Sequence, residues 1–234
     1  MSVLVCFALK EEAAPFQKVA ADRTDVSLLI TGIGRKNAEK AVRDFLAGGT
    51  GVPPDFVLTG GFAGGLNPDL NPGDVVFEIF SRRSRGNEAQ IKTEEESETP
   101  HVVSCERLLA AGAKPVKFFC ADRIVTTVAE KRKLRIETGA DAVEMESAAI
   151  HAVCAERGIS CATVRVISDP AGEDLPLDFN ALARPDRSLD YGRLAWAVAK
   201  SPGKIGALMR LQKQTRLAAE RLADVLSRIL PPPE

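Results

Sequence analysis

Four carboxylates stand where apolar runs give way to helical patterns. Glu12 follows the run Val3–Ala8, Glu144 and Glu146 flank Met145, and Asp169 follows the run Cys161–Ile167. Acids in such places can hold or release a proton, or accept hydroxyl groups from a polar ligand. Glu144 and Glu146 are two apart, so they share a face on a strand and diverge on a helix. Each acid also has a plainer reading. The pair can decorate the start of a helix, where the dipole favours negative charge. Glu12 can be a solvated first-turn acid, and Asp169, before Pro170, a turn or cap residue.

The elements that must position these groups alternate. Strands are expected at Val3–Ala8, Val26–Ile30, Asp55–Leu58, Val75–Phe80, Val116–Cys120, Asp141–Met145 and Cys161–Ile167. Helices are expected from Lys10, with Pro15 near the first turn, at Lys36–Leu46, Ser104–Ala111, Val128–Thr138 before Gly139, and Ser147–Arg157 before Gly158. Thr59–Leu66 reads as a glycine-dense bend, followed by turn signals from Asn67 to Asp74. Ser81–Pro100 is polar and charged and reads as an exposed hairpin or loop; Leu175–Ala183 is a short apolar stretch. Strands alternating with helices predict an α/β fold, a sheet covered on both faces.

Composition narrows the function. The 234 residues suit one large domain or two small ones, no second domain is apparent, and a net charge of −1 gives no field that would draw nucleic acid. Five scattered cysteines and two histidines, His101 and His151, argue against a zinc site or a disulfide framework and for a reducing, cytoplasmic setting. No apolar run reaches the roughly 18 residues of a membrane span, and no signal peptide is apparent. The turn Thr31-Gly32-Ile33-Gly34-Arg35 has the backbone for an anion or a sugar, but the third glycine of a dinucleotide fingerprint would fall at Asn37. A dinucleotide-dependent dehydrogenase is therefore disfavoured. The C-terminal stretches Leu189–Lys200 and Pro202–Leu230 are helical in pattern and rich in Lys and Arg. Lys204, Arg210, Lys213, Arg216 and Arg221 accompany Ile205, Leu208, Met209, Leu222 and Leu226. Such a helix can lie on an anionic membrane, but packing on its own domain or on a second subunit is the expected arrangement.

Five separated segments carry a resemblance. They are Ala8–Glu12, Thr31–Gly34, Gly61–Leu66 with Pro72–Val76, Val143–Glu146, and Val164–Asp169. In this order they resemble the purine nucleoside phosphorylase/uridine phosphorylase superfamily, and within it look most like the methylthioadenosine/S-adenosylhomocysteine nucleosidases. The stretch beyond residue 180 is similar to the hopanoid-associated branch, whose members are thought to release adenine from adenosylhopane. The resemblance implies a single three-layer α/β/α domain with a central mixed sheet and a helical C-terminal extension from about 189. It also implies a dimer or larger homo-oligomer, a small purine nucleoside as partner and no cofactor.

It further implies a division of labour. Asp169 would protonate the departing purine, and so should lie in apolar surroundings or be hydrogen-bonded as the neutral acid. Glu146 would accept the ribose hydroxyls, and Glu12 would activate the attacking water. Met145 would pack on the ribose, the backbone of Ile124 and Val125 on the base, and Phe179 over the ligand. Glu144, Phe62, Ala63 and Gly64 fall among the implied substrate contacts. Two positions depart from the nucleosidase pattern: Phe62 replaces a serine that bonds the acid, and Ile124 replaces a phenylalanine beside the purine. Thr59 stands where the phosphorylases carry an arginine, which leaves Gly34 and Arg35 as the candidate phosphate ligands. Hydrolysis is therefore expected. Phosphorolysis and non-catalytic nucleoside binding are the alternatives.

Overall fold

The computed structural model describes residues 2–48, 53–80, 103–182, 200 and 202–230. The order is β1 (Val3–Phe7), α1 (Lys10–Val19), β2 (Val26–Ile30), α2 (Arg35–Gly48), β3 (Phe56–Gly65), β4 (Val75–Phe80), α3 (Cys105–Ala110), β5 (Lys114–Pro115), β6 (Phe118–Cys120), α4 (Val128–Thr138), β7 (Ala142–Glu144), α5 (Ser147–Arg157), β8 (Ser160–Asp169), α6 (Phe179–Leu182) and α7 (Ile205–Ile229). One mixed sheet runs β2-β1-β3-β8-β4-β5, with β7 pairing β3 and β6. Strands β2, β1, β3 and β8 are parallel, whereas β4 on β8 and β7 on β3 are antiparallel.

Strand alternation builds the three layers. On β1, Val3, Val5 and Phe7 face a core shared with Phe16 of α1 and with Leu222, Val225 and Leu226 of α7. Leu4 and Cys6 face the opposite core, with Ala38 and Val42 of α2 and Ile150, Val153 and Cys154 of α5. Both faces of the sheet are thus covered, as a largely parallel sheet requires.

Two local readings change. Thr59–Leu66 is not a bend: β3 runs straight through it to Gly65. Its glycines serve close approach, since a Cβ on Gly60 would lie 2.9 Å from Phe7 Cε1. Pro15 falls inside α1, past its first turn. The second half of the C-terminal helix packs on its own domain, the arrangement expected. Ala218, Leu222, Leu226 and Ile229 of α7 are buried, so Leu222 and Leu226 face the protein's own core and not a lipid surface. Only the first half of α7 keeps apolar side chains exposed, at Ile205, Met209 and Leu217. Among the described residues no helix is long and apolar enough to cross a membrane. The polar stretch 81–100 and, apart from Lys200, the helix expected over Leu189–Lys200 lie outside the described residues.

Candidate active site

The C-terminal ends of the parallel strands, where ligands gather in sheets of this kind, bring the acids together. Glu12 lies in the first turn of α1 and is buried. Its Oε2 accepts the Leu9 N–H at 3.0 Å and its Oε1 accepts the Phe62 N–H at 3.2 Å. The chain can approach this closely because residue 61 is glycine: a Cβ there would lie 3.2 and 3.4 Å from the Glu12 oxygens and 3.5 Å from Arg165 Nη1. Burial raises the pKa of Glu12 above the ordinary carboxyl range, and Arg165 and three backbone N–H groups oppose the rise without cancelling it.

Arg165 is the hub. It projects from the middle of β8, is fully buried, and donates from Nη2 to Thr59 Oγ1 and to Glu144 Oε2, both at 2.9 Å. Glu146 Oε2 lies 3.9 Å from the same nitrogen. Among the described residues Nε and Nη1 of Arg165 have no hydrogen-bond partner, a costly state for buried donors. Burial works against the guanidinium's charge, but Glu144, Glu146 and Glu12 outweigh it and raise its pKa.

The two acids around Met145 have separate jobs. Glu144 ends β7, where its carboxylate takes the N–H groups of Glu146 and Ser147 (3.0 and 2.8 Å) and the Ser147 hydroxyl (2.6 Å). It thereby caps α5 and pairs with Arg165. Burial would raise its pKa, but Arg165 and the Ser147 bonds prevail and hold it below the usual value. With these donors on its oxygens, Glu144 supports the site from below and is no free substrate contact. Glu146 turns the other way, and its Oε1 accepts the Gly34 N–H at 2.7 Å. Burial, and then the neighbouring Glu144 charge, push its carboxyl up to about 7.

Asp169 reaches the site through a bulge. Ala63 pairs with Ile167 and Gly64 with Asp169, so Ser168 is the extra residue, and a bulge re-aims the side chains beside it. The Asp169 carboxyl rests over Gly64, where a Cβ would lie 3.2 Å from both Oδ2 and Val143 Cγ1. Of the two expected settings, apolar or hydrogen-bonded, the carboxyl has a hydrogen-bonded one. Oδ2 accepts from the Nζ of Lys131 at 2.6 Å, and Oδ1 accepts from the Ser168 hydroxyl at 2.6 Å. Ser168 thus supplies the hydroxyl that Phe62 cannot.

The remaining candidates divide. The Phe62 side chain packs on the main core, and the residue's contribution is its N–H to Glu12. Ala63 offers its carbonyl to Ser168 Oγ at 3.3 Å. Ile124 is bonded through both its N–H and its C=O to the Asn180 carboxamide, at 2.9 and 2.8 Å. That clamp sets Phe179, first residue of α6 and half-buried, beside the Ile124–Val125 loop. Met145 is half-buried between the two glutamates. Arg35 does not reach into the acid cluster: its guanidinium bonds the Cys120 carbonyl and lies 3.4 Å from Asp122. A groove of about 710 Å³ along α4, lined by Val128, Arg132, Ile136 and Asp174 among others, includes none of Glu12, Glu144, Glu146 and Asp169.

A family model described as the phosphorylase superfamily matches residues 10–200. The chain belongs to the phosphorylase superfamily. Its relatives there include the aminodeoxyfutalosine nucleosidase of Campylobacter jejuni, 30% identical over 141 residues that make up 53% of this chain and 60% of that protein. The 5′-methylthioadenosine/S-adenosylhomocysteine nucleosidase of a Marinomonas species is 31% identical over 176 residues, 66% of this chain and 72% of that one. The chain thus spans 60 to 72% of these relatives' lengths. In fold, a futalosine hydrolase mutant of Helicobacter pylori superposes with a TM-score of 0.66 at 20% identity, covering 98% of both chains. This superfamily fold is the mixed-sheet α/β architecture the motifs imply.

Proposed function

We propose that this member of the phosphorylase superfamily is an N-glycosyl hydrolase. It releases adenine from an adenosine-type nucleoside substituted on the ribose 5′ carbon, and adenosylhopane is one candidate substrate. The observation that carries the reading is the clustering of Glu12 and Glu146 about Arg165, with Asp169 at the end of β8. Nucleosidase relatives in the superfamily support it.

The chemistry follows from these positions. Purine departure needs a proton, which Asp169 gives to the ring nitrogen N7 while the C1′–N9 electrons move onto the base. Positive charge then grows on the sugar beside Glu146, whose carboxylate accepts the ribose hydroxyls. A water activated by Glu12 attacks C1′ and leaves its proton on Glu12. Water suits the space better than phosphate does. The Gly34 N–H already serves Glu146, Arg35 is turned to Asp122, and a phosphate dianion would meet buried carboxylates. Adenine release from 5′-methylthioadenosine should therefore proceed in phosphate-free buffer and give the free sugar. An absolute need for phosphate, with a sugar 1-phosphate as product, would overturn the reading.

Ligand binding should also release a proton. In the free protein the Glu146 carboxyl is pushed up to about 7, so at pH 6 it is mostly protonated. Accepting hydroxyls favours the ionised form, so affinity should rise as pH goes from 6 to 8, by up to about tenfold per unit below 7. Titration calorimetry of a non-cleavable nucleoside in buffers of different ionisation enthalpy measures this. Proton uptake, or affinity flat with pH, would remove Glu146 from the hydroxyl contact.

A further inference from the structure

Lys131 lies in the interior of α4 with no solvent exposure, and all three of its ammonium hydrogens are engaged. Its Nζ donates to Asp169 Oδ2 at 2.6 Å, to the Pro170 carbonyl at 2.7 Å and to the Glu173 carbonyl at 2.9 Å. A fully buried ammonium is costly unless it is paired and fully bonded. Here the fold places one on the carboxyl that faces the departing base.

We propose that Lys131 is the positioning residue of the acid step, a role that rests on the reading of Asp169 as the acid. Lys131 pins Oδ2, which leaves Oδ1 as the oxygen that carries the transferable proton. Ser168 Oγ serves Oδ1 in both protonation states. It lies within reach of the Ala63 carbonyl (3.3 Å) as well as of Oδ1 (2.6 Å), so it can accept from the acid or donate to the carboxylate. The proton passes from Oδ1 to the purine, the C1′–N9 bonding pair moves onto the base, and the full negative charge left on Asp169 faces the Lys131 ammonium. The ammonium already stands 2.6 Å from Oδ2, where that negative charge develops, so it stabilises the charge as the proton leaves.

The test is a double-mutant cycle on adenine release from 5′-methylthioadenosine by the full chain. Asp169→Asn alone should lower kcat by roughly 10²–10⁴-fold, and Lys131→Gln alone by roughly 10²-fold, with KM changing much less. In the Asp169→Asn background, Lys131→Gln should cost nothing more, since it acts only through the acid. On 4-nitrophenyl riboside, whose leaving group needs no proton, both variants should keep most of their activity. Lys131→Arg, which preserves the charge, should recover part of kcat and go through the same cycle if the Gln variant does not fold. A Lys131→Gln variant with full kcat overturns the proposal alone, as does a further multiplicative loss in the Asp169→Asn background, the mark of a merely structural residue. Full activity of Asp169→Asn overturns the reading of the acid and this proposal with it.

Discussion

Arg165→Met should yield a protein that melts far below the wild type. The substitution leaves Glu144, Glu146 and Glu12, all buried, without the one guanidinium they share. Breaking a buried ion pair by removing one partner costs about 3–5 kcal/mol. In a chain of this size each kcal/mol shifts Tm by about 2–4 °C, so a drop of roughly 6–20 °C is expected. The sign of its pH dependence is fixed as well. Without Arg165 the Glu144 carboxyl loses one of the influences that hold its pKa down, and Glu146 and Glu12, already raised by burial, lose a charge that opposed the rise, so all three pKa values move up in the folded chain. Such groups stabilise the fold when protonated and lose that contribution as pH rises through their folded pKa. The deficit should therefore be larger at pH 8 than at pH 5. Glu144→Gln added to Arg165→Met should recover part of the loss at pH 8, because it removes the carboxylate left facing the gap. Thermal melts by circular dichroism at the two pH values decide the matter. Equal melting of variant and wild type at pH 8 would mean that the cluster is neutral and that Arg165 is not its counter-ion.

The supports of the site were harder to read from the sequence than the acids themselves. Runs such as Val26–Ile30 and Ser147–Arg157 declare themselves through apolar spacing and through Gly158, which takes the left-handed conformation at the end of α5. Glu12 and Asp169 stand out because a charge directly after a buried strand lies where chemistry is done. Arg165 had an equivalent signal: a lone charge within Cys161–Ile167, on a strand buried on both faces, must be paired. Nothing in one sequence says with which acid. Lys131 is one of several basic residues on α4, and only its position three before Leu134, which packs inward, sets it apart from Arg132 and Lys133. The glycines of β3 misled for a physical reason. Glycine density signals turning and close packing alike, and here Gly60, Gly61 and Gly64 make room for Phe7, Glu12 and Asp169. Which half of α7 would be buried depends on α1 and β8, so no local pattern could show it.

Glu12→Gln should bind nucleoside and fail to cleave it. The amide keeps the side chain's shape but cannot take a proton from water, and loss of a general base costs roughly 10²–10⁴ in rate, about 3–5 kcal/mol of barrier. Some destabilisation will accompany the change. Both carboxylate oxygens accept backbone N–H groups, from Leu9 and Phe62, and an amide presents an N–H₂ to one of them. Stability and chemistry must therefore be separated. Single-turnover rates and binding titrations do that, and Gly61→Ala adds a second probe that alters no charged group but is itself strained, since residue 61 has a φ of +156°. Its methyl would enter at 3.2 and 3.4 Å from the Glu12 oxygens and 3.5 Å from Arg165 Nη1, and so crowd the carboxylate assigned to activate the water. If that water is the nucleophile, Gly61→Ala should lose kcat as Glu12→Gln does. Each variant should still bind a non-cleavable nucleoside within about tenfold of wild type, since Glu146 and Asp169 are untouched. Single-turnover adenine release measures the chemical step, and fluorescence or calorimetric titration measures binding. Near-normal single-turnover rates in Glu12→Gln would take Glu12 out of the reaction and leave the water to be activated by the sugar's own positive charge. Loss of binding in both variants would instead make the space over Gly61 part of the ribose subsite.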